Sequence, residues 1–138
     1  MAAVLPTKIQ LDIVSPERLL LSEEVEEVTI PGSEGYLGIL PGHLPLLTTI
    51  GIGILSYHKK GQKYVLAISG GFAEVLPDRV IVMAETLELP EEIDINRARL
   101  AKERAEKLLV SKESVDVEQA MASIMRAICR IQVGESRQ

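Results

Sequence analysis

The chain changes its hydrophobic period once, near residue 90, and that change divides it into two kinds of structure. Before it, Ile9, Leu11 and Ile13 alternate with Lys8, Gln10 and Asp12, and Val25, Val28 and Ile30 sit among acids. Denser apolar runs follow at Tyr64–Ser69 and Val80–Ala84. A period of two predicts strands that bury one face, and short dense runs fit more deeply buried strands. Turn chemistry stands between them at Ser15-Pro16, Pro31-Gly32, Pro41-Gly42, Lys60-Gly61, Gly70-Gly71 and Pro77-Asp78. Short strands at this spacing read as an antiparallel sandwich or barrel.

Beyond Pro90 the period becomes helical. Asp94 is placed to cap a helix, and Ala98, Ala101, Ala105 and Leu108 form an apolar stripe behind it. Val110 to Ser114 interrupts the pattern, and Val117, Ala120, Met121, Ile124, Ile128 and Ile131 make a second stripe that ends at Gly134. Two helices with a short connection predict an antiparallel hairpin. An alanine seam removes little apolar area from water, and at about 25 cal/mol per Å² it stabilises the pair far less than a leucine seam would. The hairpin is therefore expected to be weakly held and able to detach. The expected fold is α+β, with an antiparallel β-sandwich over 1–88 and an α-helical hairpin over 89–138.

One segment of the first part invites a different reading. Tyr36 to Leu55 is twenty residues without a formal charge, about the length of a membrane-spanning helix. Pro41, Pro45 and the glycines rule against one continuous helix, because each proline removes a backbone donor and Pro41-Gly42 is a turn. Buried strands joined by tight turns are expected instead.

Composition narrows the partners. Aromatic residues are only 3% of the chain, with no Trp, so stacking platforms for bases are not expected. The formal charge of −5 argues against nonspecific nucleic-acid binding, which needs a basic surface. Charge is uneven: residues 1–93 hold 6 Lys+Arg against 13 Asp+Glu, whereas residues 94–138 hold 9 against 7. An acidic body with a mildly basic tail suggests parts with different partners. Cys129 is the only cysteine, and the N-terminus lacks the charged start and long apolar run of a signal peptide, so a reducing, cytoplasm-like compartment is expected.

Catalytic chemistry is not apparent. Neither a phosphate-binding Gly-rich loop ending in Lys-Ser/Thr nor a Gly-x-Gly-x-x-Gly after a strand occurs. His43 and His58 are the only histidines, too few with one cysteine for a structural zinc site. His43, between Gly42 and Leu44, reads as a capping or surface residue, and Ser69-Gly70-Gly71 as a turn without a His/Asp partner. No catalytic residue, metal ligand or required cofactor is expected.

The hairpin's polar residues are more suggestive. At 100° per residue Asp94, Arg97, Ala98 and Arg104 fall within an arc of roughly 120°, and Arg126 and Arg130 share a face of the second helix. Antiparallel pairing could bring the sets together around a small alanine, where guanidiniums hold a polyphosphate bidentately and an acid meets a ribose or amino group. Solvated helix faces with pairs such as Glu103 and Lys107 account for the same spacing.

Three motifs bear a resemblance to a known family: Gly35-Tyr36-Leu37-Gly38-Ile39-Leu40-Pro41-Gly42-His43-Leu44-Pro45-Leu46-Leu47-Thr48, Ser69-Gly70-Gly71-Phe72-Ala73-Glu74-Val75, and Ile93-Asp94-Ile95-Asn96-Arg97-Ala98. Together they resemble the epsilon subunit of bacterial and chloroplast F-type ATP synthases, in order and spacing from about Lys8 to Val133. The resemblance implies a noncatalytic rotor part whose sandwich binds the γ subunit on one side and the ring of c subunits on the other. Ser33, Glu34, Gly35 and Tyr36 would face the c-ring, with Tyr36 departing from the acid some relatives carry there, and His43 would approach γ.

It also implies that the hairpin regulates. Folded compactly it rests on the sandwich, and extended along γ it reaches the α and β subunits and blocks ATP hydrolysis. Arg97, Arg99, Lys102, Arg104 and Lys107 would suit an acidic segment of β. Several bacterial members bind ATP in the compact state, and Glu88, Asp94, Arg97, Ala98, Arg104, Arg126 and Arg130 match those positions, the last two with one residue gapped. The implied location is peripheral, on the cytoplasmic face of the bacterial inner membrane rather than the chloroplast thylakoid. A freestanding ATP-sensing module is the alternative function, and a small sandwich enzyme a third.

Overall fold

The computed structural model describes residues 5–111 and 116–136. Among them, eight strands come first: β1 Ile9–Ser15, β2 Arg18–Val25, β3 Glu27–Gly32, β4 Gly35–Ile39, β5 Leu46–Thr49, β6 Ile52–Lys59, β7 Gln62–Leu76 and β8 Arg79–Glu88. A single 3-10 turn at Pro90–Glu92 then leads into α1 Ile95–Val110 and α2 Val117–Glu135. The sandwich and the two-helix hairpin expected from the change of period are both present.

The strands form one hydrogen-bonded sheet in the order β2-β1-β8-β7-β6-β3-β4, with β5 pairing β7. It folds over so that Ile9, Leu11, Ile13, Val25, Val28, Ile30, Leu55, Leu66, Val75, Val80 and Val82 meet in one core, none more than 1% exposed. The alternation in β1 therefore reports burial directly. Pairings are antiparallel except β1 with β8, which runs parallel from Gln10 opposite Arg79 to Val14 opposite Met83. That exception sets the β1–β2 turn beside the end of β8, where the chain leaves the sandwich.

Two expected turns lie elsewhere. Pro31 and Gly32 are the last residues of β3, and the reversal comes at Ser33–Glu34, with Gly32 pairing Gly35. Gly70-Gly71 is no turn but a bend inside the 15-residue β7. Across it the inward-facing set changes from Leu66 and Ile68 to Ala73 and Val75, so one strand serves both layers. Both glycines have positive φ, 75° and 101°, and a Cβ on Gly71 would lie 1.9 Å from the Met83 carbonyl oxygen. Only glycine fits that conformation and that space. Opposite it, β5 and β6 pair the two halves of β7 in succession and are interrupted at Ile50-Gly51, where Ile50 N–H donates to Gly71 O at 2.9 Å. The uncharged stretch is thus β4, a loop, β5 and half of β6. Among the described residues no helix is long and apolar enough to cross a membrane.

Asp94 caps α1 as expected, accepting from Arg97 N–H at 3.1 Å, and Asp116 caps α2 through Gln119 N–H at 3.1 Å. The expected break at Val110 to Ser114 falls largely on residues 112–115, outside the described residues. Helix α2 lies on β6 and β7, where Val133 and Cys129 meet Ile54, Val65 and Ala67 together with Ile93 and Ile95. Helix α1 packs on α2 through Ala98 and Ala105, against an α2 that buries Ala120 and Ala127.

The second stripe is met only in part: Ala120 is buried and Ile124 and Ile131 are half-buried. Val117, Met121 and Ile128 are exposed, as is Met125, while Ala127, Val133 and Gly134 are buried. Gly134 does not end α2 but lies within it, because the helix comes so close to Ile95 that a Cβ would stand 2.7 Å from its Cγ1. The i,i+4 pair on α1 joins Lys102 and Glu106 at 3.9 Å, not Glu103 and Lys107.

Candidate functional site: a guanidinium-lined cavity and two sandwich ends

Where α1, α2 and the end of β8 meet, they leave a cavity of about 570 Å³. Glu88, Asp94, Arg97, Ala98, Arg104 and Arg130 line it, so six of the seven residues singled out in sequence share one space. Helical spacing explains this. Capping by Asp94 fixes the start of α1, which then sends Arg97 and Arg104 to the side that faces α2. The seventh, Arg126, stands next door among Ser69, Glu88 and Cys129, and its Nε donates to Ser69 Oγ at 3.3 Å.

The cavity wall is electrostatically unbalanced. Arg130 Nε donates to Glu88 Oε1 at 2.5 Å, and Asp94 is committed to its helix cap. Among the described residues Arg97 and Arg104 form no ion pair; Arg104 Nε reaches only the Leu100 carbonyl at 3.4 Å. Two guanidiniums with free donors beside a third that one acid holds make a receptor for an anion with several oxygens. The volume falls in the range of small-molecule sites, about 300–1,000 Å³. Ala98, Ala101, Ala105 and Leu108 supply an apolar wall, and Ser123 a hydroxyl. Sequence reasoning passed over Glu92 and Ser123, which also line the cavity, because neither is marked by a motif. Burial pushes the Cys129 thiol up, with Arg130 opposing it weakly, so the thiolate is disfavoured there. Among the described residues no cluster of His, Cys, Asp or Glu has the arrangement of a metal site.

The remaining singled-out residues occupy opposite ends of β4, whose five residues span roughly 15 Å at about 3.3 Å each. At one end Ser33, Glu34, Gly35 and Tyr36 form the exposed β3–β4 tip. Ser33 N–H donates to Thr49 O at 3.0 Å. Tyr36 accepts from Ile54 N–H at 3.0 Å through its hydroxyl and lies over Gly53, where a Cβ would meet that oxygen at 2.7 Å. The tyrosine therefore braces the tip against β6.

At the other end His43 sits in the loop between β4 and β5, tied down by Gly42 N–H donating to Pro77 O at 2.7 Å. Its Nδ1 donates to the Leu44 carbonyl at 2.6 Å. In the same loop and at the start of β5, Leu40, Leu44 and Leu47 are all more than half exposed. Strand pairing sets Leu47 opposite Glu74, and the next outward pair, Thr49 with the half-exposed Phe72, lies toward Ser33, so the exposed leucines by His43 are bordered by an acid. Contiguous exposed apolar residues of this kind mark an interaction surface.

Comparison with known proteins agrees with this architecture along nearly the whole chain. Residues 8–90 match the family model described as ATP synthase, Delta/Epsilon chain, beta-sandwich domain, and residues 91–135 match the long alpha-helix domain of the same family. The chain belongs to the ATP synthase delta/epsilon family. An ATP synthase epsilon chain of Nitratidesulfovibrio vulgaris is 48% identical over 126 residues, covering 91% of this chain and 94% of the relative. That of Solibacter usitatus is 43% identical over 134 residues, 96% and 100% of the two. Among solved structures, a chain of the Euglena gracilis mitochondrial ATP synthase, determined as OSCP/F1/c-ring, superposes with a TM-score of 0.82. It is 27% identical and is matched over 94% of this chain and 82% of its own. A chain of the Tetrahymena thermophila central stalk/c-ring structure shares the fold, with a TM-score of 0.56 at 13% identity, over 96% and 98% of the two chains. As an epsilon-type member the chain is a noncatalytic subunit of the synthase complex.

Proposed function

We propose that this epsilon-type subunit couples γ to the c-ring through its sandwich and restrains ATP hydrolysis through its hairpin, with ATP as the ligand that favours the compact hairpin. The observation that carries the proposal is the mixed character of α2, which packs through Ala120, Ala127 and Val133 yet leaves its longer apolar side chains outside. Arg126 and Arg130 face the interior of the molecule, whereas Val117, Met121, Met125 and Ile128 face water. A helix finished in this position would keep its long apolar side chains against the body and its guanidiniums in water. The arginines call for an anion in the compact state, and the apolar stripe calls for a protein surface in another.

ATP satisfies the first demand. Its phosphates suit Arg97, Arg104 and Arg130, with Arg126 adjoining, and Ala98 leaves room for a flat base beside Glu88 and Asp94. Ligand that binds only the compact form stabilises it by RT ln(1 + [ATP]/Kd), about 2.7 kcal/mol at a hundredfold excess over Kd. An alanine-seamed hairpin is weak enough for that energy to govern. The second demand suits γ and the α/β head, where an extended α2 would bury its stripe and α1 would bring Arg99 and Lys102 to acidic partners. The tip Ser33–Tyr36 serves as the c-ring contact and the apolar face around His43 as the γ contact, which seats the subunit peripherally on the cytoplasmic face of a bacterial inner membrane.

Two measurements decide the matter. The purified chain should form a stable complex with γ and suppress hydrolysis by the assembled head; a chain that does neither is not this subunit. Calorimetry should show ATP binding that Arg97→Ala/Arg126→Ala abolishes, and unchanged binding in that variant removes the cavity from the proposal.

A further inference from the structure

We propose that Arg18, on the sandwich, is a positioning residue for the guanidinium cavity and acts through Glu92; the inference rests on reading that cavity as the ATP site. Parallel pairing brings the β1–β2 turn to the sheet end where β8 gives way to Pro90–Glu92. There Arg18 Nη2 donates to both oxygens of Glu92, at 2.9 and 2.8 Å, across 74 positions of sequence. Glu92 forms part of the cavity wall with Arg97, Arg104 and Arg130. A carboxylate on that wall carries the same charge as the phosphates the arginines would hold. Bound to Arg18, it is neutralised and kept toward the sandwich. Released, it repels a polyphosphate or occupies one of the guanidiniums itself.

Glu88 illustrates the second outcome, since it already holds Arg130 at 2.5 Å. The cavity thus contains one acid that competes for an arginine and one that the sandwich withdraws. As an ion pair with side chains 46% and 35% exposed, Arg18–Glu92 adds little to folding. Its consequence lies in which guanidiniums are free, and it gives the sandwich a direct hold on the hairpin's ligand site.

The test is calorimetric titration of the full chain with ATP. Arg18→Ala should weaken binding about tenfold, the effect of one uncompensated charge roughly 10 Å away at an effective permittivity of about 20. Arg18→Lys should keep most of the affinity. Glu92→Gln and Arg18→Ala/Glu92→Gln should both bind within about twofold of the unaltered chain, because removing the acid removes the need for its partner. Restoration in the double variant is what a merely structural role for Arg18 could not produce. The proposal is overturned if Arg18→Ala binds as tightly as the unaltered chain, or if the double variant stays as weak as Arg18→Ala. Failure of the unaltered chain to bind ATP is a different result, one that removes the ATP site itself and this inference with it.

Discussion

The sandwich and the hairpin bury apolar residues of different size. In the sandwich, branched aliphatic side chains from β1, β2, β3, β4, β6, β7 and β8 interlock with essentially no exposure, and their charged neighbours point to water. In the hairpin, alanines form the seam, Arg126 and Arg130 reach the sheet half-buried while Arg97 and Arg104 stay exposed, and methionine, valine and isoleucine stand outside. The first arrangement closes its own core. The second leaves its guanidiniums and its apolar exterior in want of partners, which suits an element that changes place.

The largest test of this contrast is Leu55→Ala, which opens a cavity in a fully buried position and should destabilise the chain by about 2–5 kcal/mol in urea titration. A loss below 1 kcal/mol would mean the sandwich is no firmer than the hairpin. Gly134→Val comes next. Its side chain would collide with Ile95 and Ile93, an overpacking that costs about 1–3 kcal/mol. Because only the hairpin depends on that contact, amide exchange should quicken in α1 and α2 and stay unchanged in β1 and β8. Uniform acceleration would show that the two regions unfold as one.

Acid separates the regions on the sandwich side. Hydrogen bonds from Ser22 and Arg79, then Gln10 and the Arg79 charge, hold the Asp12 carboxyl below its ordinary value of 3.8 against the opposing effect of burial. A depressed carboxyl stabilises the fold fully above that ordinary value and loses its contribution as pH falls through the lower folded one. Asp12→Asn should therefore flatten the acid limb of the stability profile below about pH 4, with the sandwich amides reporting the change. The smallest expected effect is Met121→Gln/Ile128→Gln. Both residues are exposed, and the free chain should shift by no more than about 0.5 kcal/mol per site. Inhibition of hydrolysis by the assembled head should nevertheless fall, and full inhibition would remove the stripe from the extended contact.

Local pattern made much of this legible. Alternation in β1 named its inward face, because a strand's two sides are set by parity alone. Asp94 announced the start of α1 through a cap that needs only the next few residues. The same periodicity gathered Arg97, Ala98 and Arg104 on one side of α1. Gly70-Gly71 was misleading because a glycine pair marks a positive-φ position without saying whether the chain reverses there or bends and continues. What decided it was β8, whose Met83 carbonyl approaches too closely for a side chain. Stripe reading on α2 was met only in part, at Ala120, Ile124 and Ile131, for a related reason. A period shows which residues share a face, and it cannot say whether that face is turned toward the sheet or away from it.

The sequence by itself determined where strands give way to helices, where each helix begins and which side chains travel together on one face. These are consequences of backbone geometry and near neighbours, and they are settled within a few residues of chain. Only the tertiary structure decided that β1 and β8 run parallel, that α2 turns its arginines inward, and that Arg18 grips Glu92 from 74 positions away. Such contacts depend on how separate elements dock, and docking is fixed by the summed packing of the whole chain, which no local pattern contains.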